Sequence, residues 1–204
     1  MKIGLYFGSF NPIHTGHLII ASHVANETDV QQVWLVVSPQ NPFKQESTLL
    51  NEYHRLHLAQ LAVEDDLRIR VSEIEFKLPR PSYTIDTLVY LQEKYPQHEF
   101  AIIMGSDSFQ NLPKWKNANL LIQQYSFIVY NRPGSIVTET HQANVTILDA
   151  PLISISATHI RKNIQEGKSI RYLVPEKVRV YIEENNYYRY KSKKSKVKIK
   201  KENW

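Results

Sequence analysis

Gly8-Ser-Phe-Asn-Pro-Ile-His-Thr-Gly-His17 follows directly on the apolar run Ile3 to Phe7, and this junction constrains the fold more than any other stretch. A short run of Ile, Leu, Tyr and Phe ended by Gly predicts a buried strand, and the residues Leu18 to Ala25 beyond it predict a helix. The segment between is therefore a strand-to-helix turn. In an open α/β sheet such a turn lies at the carboxyl end of its strand, where ligands bind, and the free N–H groups of the helix start attract a phosphate. Two histidines three apart flank that start, so His14 and His17 can reach one anion. The spacing is neither a dinucleotide-binding G-x-G-x-x-G nor a P-loop, since no Gly-Lys-Ser/Thr follows. Phosphate held by imidazoles remains. Zinc is the other use of paired histidines, but an i, i+3 pair with no third ligand nearby supports it weakly.

The same alternation continues along the chain. Gln32 to Ser38 predicts a second buried strand, ending in the turn-rich Pro39-Gln-Asn-Pro-Phe-Lys44, which carries a cation. Leu49, Leu50, Tyr53, Leu56, Leu61 and Ala62 keep a helical stripe that predicts a helix over Thr48 to Asp65. Ile69 to Phe76 reads as a strand pair or one bent strand. After Pro79 and Pro81, Ser and Thr caps are expected ahead of a helix reaching Tyr95, a second exposed helix N-terminus. Strands are predicted at Glu99 to Met104, Phe127 to Tyr130 and Asn144 to Leu148, with a helical region around Leu112, Trp115, Leu120 and Leu121. Ser156 is the expected cap of a helix stopped by Gly167, and Pro175 opens a last helix to about Asn186. Strands alternating with helices, each running into a polar turn, predict a Rossmann-like α/β fold: a doubly wound, mainly parallel sheet with helices on both faces.

A chain of 204 residues can hold one such domain with a full core. Its net charge of +5 is unevenly placed, because Arg189 to Trp204 alone carries +7 and leaves the body near −2. The expected division is therefore an α/β domain over 1–188 and a basic, flexible tail over 189–204. A broad nucleic-acid face is not expected of the body, and the tail is the one place where such contact is compatible with the charge. No apolar run approaches the roughly 20 residues of a membrane helix, and the first strand begins with no leader ahead of it, so a cytoplasmic protein without a membrane partner is expected. With no cysteine, disulfides, thiolate nucleophiles and thiolate metal sites are excluded. A homo-oligomer stays open.

Three further groups of residues bear on chemistry. Arg161 and Lys162 lie near a helix start, against the dipole preference for acids there, which suggests a polyphosphate partner. Gly105-Ser-Asp107 after a strand can hold a ribose through the carboxylate, or serve only as a helix cap. Tyr83 and Trp115 are either core aromatics or stacking surfaces for a flat heterocycle.

His14-Thr-Gly-His17 and Ile155-Ser-Ala-Thr-His-Ile-Arg161 together resemble the (H/T)-x-G-H and I-S-x-T-x-x-R motifs of the nucleotidylyltransferase superfamily. Within it the chain resembles the bacterial nicotinate-nucleotide adenylyltransferases, through Gly8 to His14, Pro39 to Lys44, Pro81-Ser-Tyr-Thr-Ile-Asp-Thr-Leu88, and Gly105-Ser-Asp107 with Trp115 behind it. Asn11 stands where that family more often has Asp, and the basic tail is no part of its pattern. The resemblance implies condensation of ATP with nicotinate mononucleotide to give deamido-NAD and pyrophosphate. It implies His14, His17 and Arg161 as catalytic residues, with Gly8, Ser9, Phe10, Gly16, Gly105, Asp107, Ser156 and Thr158 joining them around ATP. Lys44, Ser82, Tyr83, Thr84, Trp115 and Arg132 are implied on the mononucleotide side. Mg²⁺ is expected to ride on the ATP phosphates with mostly water ligands and no protein ligand. Two alternatives stand beside this: a sister enzyme acting on nicotinamide mononucleotide or phosphopantetheine, and, in another class, a non-catalytic nucleotide sensor or an RNA-binding protein working through the tail. Only Pro81 to Leu88 and Trp115 separate the sister enzymes.

Overall fold

The computed structural model describes residues 1–40, 49–151 and 154–189. Lys44, Thr48 and the tail from residue 190 onward lie outside the described residues. Six strands, β1 (Lys2–Gly8), β2 (Gln32–Val37), β3 (Ile69–Ser72), β4 (Glu99–Gly105), β5 (Ser126–Tyr130) and β6 (Asn144–Leu148), form one sheet in the order β3-β2-β1-β4-β5-β6. Every neighbouring pair is parallel. Parallel strands need crossovers, and α1 (Thr15–Glu27), α2 (Glu52–Val63), α3 (Thr84–Lys94) and the pair α4 (Ser106–Gln110) and α5 (Ala118–Gln124) supply those up to β5, while β5 reaches β6 without a helix and α6 (Ala157–Gln165) and α7 (Glu176–Glu184) follow the last strand.

Period-two alternation divides the strand residues between two cores. Ile3 and Leu5 of β1, Ile102 and Met104 of β4 and Phe127 and Val129 of β5 meet Leu88, Leu91, Phe109 and Leu121 from α3, α4 and α5. On the opposite face Tyr6, Ile103, Ile128 and Tyr130 meet Ile20, Leu58, Ile160 and Val178 from α1, α2, α6 and α7. Strands buried on both faces are what makes the runs Ile3 to Phe7 and Phe100 to Met104 continuously apolar. The direction of winding reverses between β1 and β4, so the loops leaving their carboxyl ends part in opposite directions and open a crevice.

Two local expectations are corrected. Only Ile69–Ser72 of the predicted strand segment pairs, and Ile74–Lys77 is a 3₁₀ turn. The turn buries both Ile74 and Glu75. The helix after Pro81 has no Ser or Thr cap: Tyr83 is its N-cap, in extended conformation and without a side-chain capping bond. By contrast Ser156 does cap α6, accepting from the His159 N–H at 3.2 Å, and Gly167 follows that helix at φ +68°.

Candidate active site

A cleft of about 780 Å³ occupies the crevice at the carboxyl ends of β1 and β4. The β1–α1 turn contributes Gly8, Ser9, Phe10, His14, Gly16 and His17, and the α6 start contributes Ser156, Thr158 and Arg161. The end of β4 brings Gly105 and Asp107, the segment after β5 brings Arg132, and the α3 start brings Ser82, Tyr83 and Thr84 beside Trp115. Lys44 lies outside the described residues.

The three-residue spacing of the histidines is a helical one. His14 is the N-cap of α1 and His17 its third residue, so the imidazoles stack with centroids 3.6 Å apart. The His14 backbone N–H donates to His17 Nδ1 at 3.3 Å, which assigns the His17 ring proton to Nε2 and makes that atom a donor. His14 Nδ1 is buried with no hydrogen-bond partner among the described residues. Burial, reinforced by the Arg132 charge, pushes the His14 imidazole down to about 4. Burial, His14 and Arg132 hold His17 well below its ordinary value. Both rings are therefore neutral N–H donors at pH 7, not cations.

This has a measurable consequence for stability. Unfolded His14 takes up its proton near pH 6.5 and folded His14 only near about 4, so within that window the unfolded chain binds more protons. The contribution is complete above pH 6.5 and is lost as pH falls through the window, on the order of 3 kcal/mol in all. Thermal melts at pH 7.5 and pH 5 are expected to show a larger loss for the wild type than for His14→Gln. Equal losses would remove His14 as the source.

Arg161 reaches from α6 to the β1–α1 turn, donating to the Asn11 carbonyl at 2.7 Å and to Thr158 Oγ1 at 3.3 Å. Asn11 in turn accepts the Leu50 N–H on Oδ1 at 3.1 Å, an acceptor role that Asp would fill equally well. Phe10 sits at φ +44° with its ring 1% exposed, edge-on to Tyr6 and His17, so it offers a ligand little beyond its backbone. The strained conformation turns the chain beneath His17. Gly8 permits it, since a Cβ there would lie 2.9 Å from the Phe10 ring.

Across the cleft, Arg132 Nε lies 3.4 Å from Asp107 Oδ1 and its NH2 group donates to Tyr130 Oη at 3.2 Å. Tyr130 and Tyr6 share a buried hydroxyl contact of 3.0 Å. A Cβ on Gly105 would come within 2.7 Å of both Arg132 Nε and Asp107 Oδ1, so any side chain there would displace this pair. The contacts of Arg132 are thus with Asp107 and Tyr130, and its charge is felt at both histidines. None of these side-chain contacts is with Ser82, Tyr83, Thr84 or Trp115.

On that wall the Ser82 hydroxyl points inward and donates to Glu75 Oε2 at 2.7 Å, so its proton does not serve a ligand. The first-turn N–H groups of α3 keep no side-chain cap. Lys116 stands 4.6 Å over the Tyr83 ring and pairs with Asp86 at 2.8 Å. Lys116 was not singled out in the sequence, although it adjoins Trp115. Nor were Glu75, which lines the cleft, and Arg55, which is fully buried behind it. A charged residue within an apolar helical stripe was the only signal for Arg55.

The cytidylyltransferase-like family matches residues 5–163. A probable nicotinate-nucleotide adenylyltransferase of Flavobacterium johnsoniae is 50% identical over 193 residues, 93% of this chain and 100% of the relative. Its counterpart from Cytophaga hutchinsonii is 49% identical over 189 residues, covering 92% of this chain and 98% of the relative. Among solved structures, the Plasmodium falciparum nicotinic acid mononucleotide adenylyltransferase complexed with NaAD superimposes with a TM-score of 0.79 at 21% identity, over 92% of this chain and 97% of the other. At that identity the likeness is one of fold.

Proposed function

The chain belongs to the cytidylyltransferase-like family and, within it, to the nicotinate-nucleotide adenylyltransferases, and from that membership we propose how its cleft performs their reaction. The enzyme transfers the adenylyl group of ATP to nicotinate mononucleotide, releasing pyrophosphate. An oxygen of the mononucleotide 5′-phosphate bonds to the α-phosphorus of ATP as the bond to the β-phosphate oxygen breaks, and pyrophosphate leaves with the electron pair. The attacking phosphate has a second pKa near 6 and is largely ionised at neutral pH, so no general base is required. The demand is for in-line placement and for donors to the charge that develops on the departing phosphates.

The observation that carries this assignment is that neutral His14 and His17, with Arg161 donating into the turn that carries them, line one cleft together with an uncapped helix start and Trp115. His17 Nε2–H and the α1 N–H groups serve the triphosphate, Thr158, Ser156 and Arg161 its outer phosphates, and Asp107 the ribose. Arg132, beside Asp107, serves the ATP side and not the mononucleotide. Among the described residues no three His, Asp or Glu side chains converge as a protein metal cage would require. Imidazole, hydroxyl and guanidinium donors fit phosphate oxygens, so Mg²⁺ would be held by ATP and water. When bound it supplies further charge neutralisation there. The pyridine ring rests against Trp115 and Tyr83.

The acid mononucleotide differs from its amide by one negative charge facing the N–H groups of Thr84, Ile85 and Asp86. A carboxylate accepts on both oxygens, whereas an amide must turn its NH₂ against one donor, at about 1–3 kcal/mol. The expected preference for nicotinate over nicotinamide mononucleotide is therefore at least about tenfold in kcat/KM. Pyrophosphate release with saturating ATP and a panel of mononucleotides measures it. Equal values would refute recognition by the helix start, and turnover only with phosphopantetheine would refute the assignment itself.

A further inference from the structure

Glu75 is a 2%-exposed carboxylate that the reaction does not use, and its contacts are all at the mononucleotide end of the cleft. Its Oε2 accepts from Ser82 Oγ at 2.7 Å and its Oε1 from Thr87 Oγ1 at 3.0 Å. The Ser38 hydroxyl at the end of β2 also favours its ionised form. Burial raises the carboxyl, and these three hydroxyls pull it back toward ionisation. Ser82 and Thr87 stand on either side of the α3 N-cap, one residue before Tyr83 and four after it. One carboxylate thus grips both ends of the first helical turn. A buried acid next to a helix start would ordinarily cap it, yet both oxygens of Glu75 are spent on hydroxyls and the N-cap has no side-chain bond.

We propose that Glu75 is a positioning residue for substrate choice: by gripping Ser82 and Thr87 it holds the first turn of α3 rigid and uncapped, so that its N–H groups meet the pyridine carboxylate. It acts through the helix start and has no part in the chemistry at phosphorus. A carboxylate suits the role because the three hydroxyls need an acceptor-only group. Glutamine would set its NH₂ against one of them and force that hydroxyl to turn, shifting the helix start.

This inference rests on nicotinate mononucleotide being the acceptor, so the wild type is measured first, and its failure with that substrate sinks the functional assignment before any variant is read. Given wild-type activity, Glu75→Gln, Ser82→Ala and their double variant are compared for KM toward nicotinate mononucleotide, nicotinamide mononucleotide and ATP. Glu75→Gln is expected to raise KM for the acid mononucleotide roughly tenfold and to lower the acid-over-amide preference by a similar factor. KM for ATP and kcat at saturation should stay within about twofold. The double variant should be little worse than Glu75→Gln, since both act through one contact. An unchanged KM for the acid, or parallel rises for ATP and the acid as in a general loosening, would overturn the proposal. Should Glu75→Gln fail to fold, near-isosteric Thr87→Val carries the test. Its KM for the acid should rise about threefold with ATP unaffected, and no rise would overturn the proposal equally.

Discussion

Replacing His17 by Ala is expected to slow adenylyl transfer by roughly 10² to 10³, the scale for losing one preorganised donor to developing charge. His17 is the donor whose proton is placed by the protein itself. Its Nδ1 is occupied by the His14 N–H, its ring lies between His14 and Phe10, and Nε2–H is left for the phosphate. Because the imidazole is neutral before ATP binds, the enzyme does not carry a buried charge in the empty cleft, and the donor is already aimed when the leaving phosphate gathers charge. The loss should appear in kcat, with KM for the mononucleotide little changed, since the contacts proposed for the mononucleotide are with other residues. The fold should survive, as the capping interaction removed is worth about 1 kcal/mol. Single-turnover kinetics with saturating ATP and nicotinate mononucleotide provide the measurement, and a rate within about fivefold of wild type would remove His17 from the catalytic set.

Arg55→Met is expected to lower the melting temperature by about 10 °C or more. The guanidinium is fully buried and donates to four main-chain carbonyls: Leu50 at 2.8 Å, Ser9 at 2.6 Å, Ser38 at 2.8 Å and Pro39 at 2.9 Å. These carbonyls belong to the segments leaving β1 and β2 and to the approach to α2, which run in irregular conformation and have no ladder to satisfy them. Methionine fills a similar volume but donates nothing. Each orphaned carbonyl costs about 1–3 kcal/mol, and even at the low end four of them exceed what a domain of this size loses without a large shift in its melting temperature. Arg55→Lys, with fewer donors and no fork, should fall between the two. A drop below about 3 °C for Arg55→Met in differential scanning calorimetry would show that water or main-chain relaxation replaces the side chain.

The alternation of strands and helices, the parallel sheet and the position of the β1–α1 turn were legible in the chain because each depends on local pattern. Four- to seven-residue apolar runs can be buried only between two helical layers, and Gly8 and Gly105 stop β1 and β4 where ligands bind. The pairing of His14 with His17 was legible for the same reason, since a spacing of three at a helix start brings the two rings together. What the chain could not disclose are relations between segments far apart in sequence. That Arg132 meets Asp107 and Tyr130 depends on β4 and β5 being neighbours. That Ser82 spends its hydroxyl on Glu75 depends on a 3₁₀ turn where a strand was expected. The neutrality of the histidines depends on desolvation by the assembled cleft and on the Arg132 charge, neither of which is written in the turn that carries them. Hydrophobic periodicity is a local property that one segment can display alone, whereas the pairing of buried polar groups is decided only when distant segments close around them and exclude water.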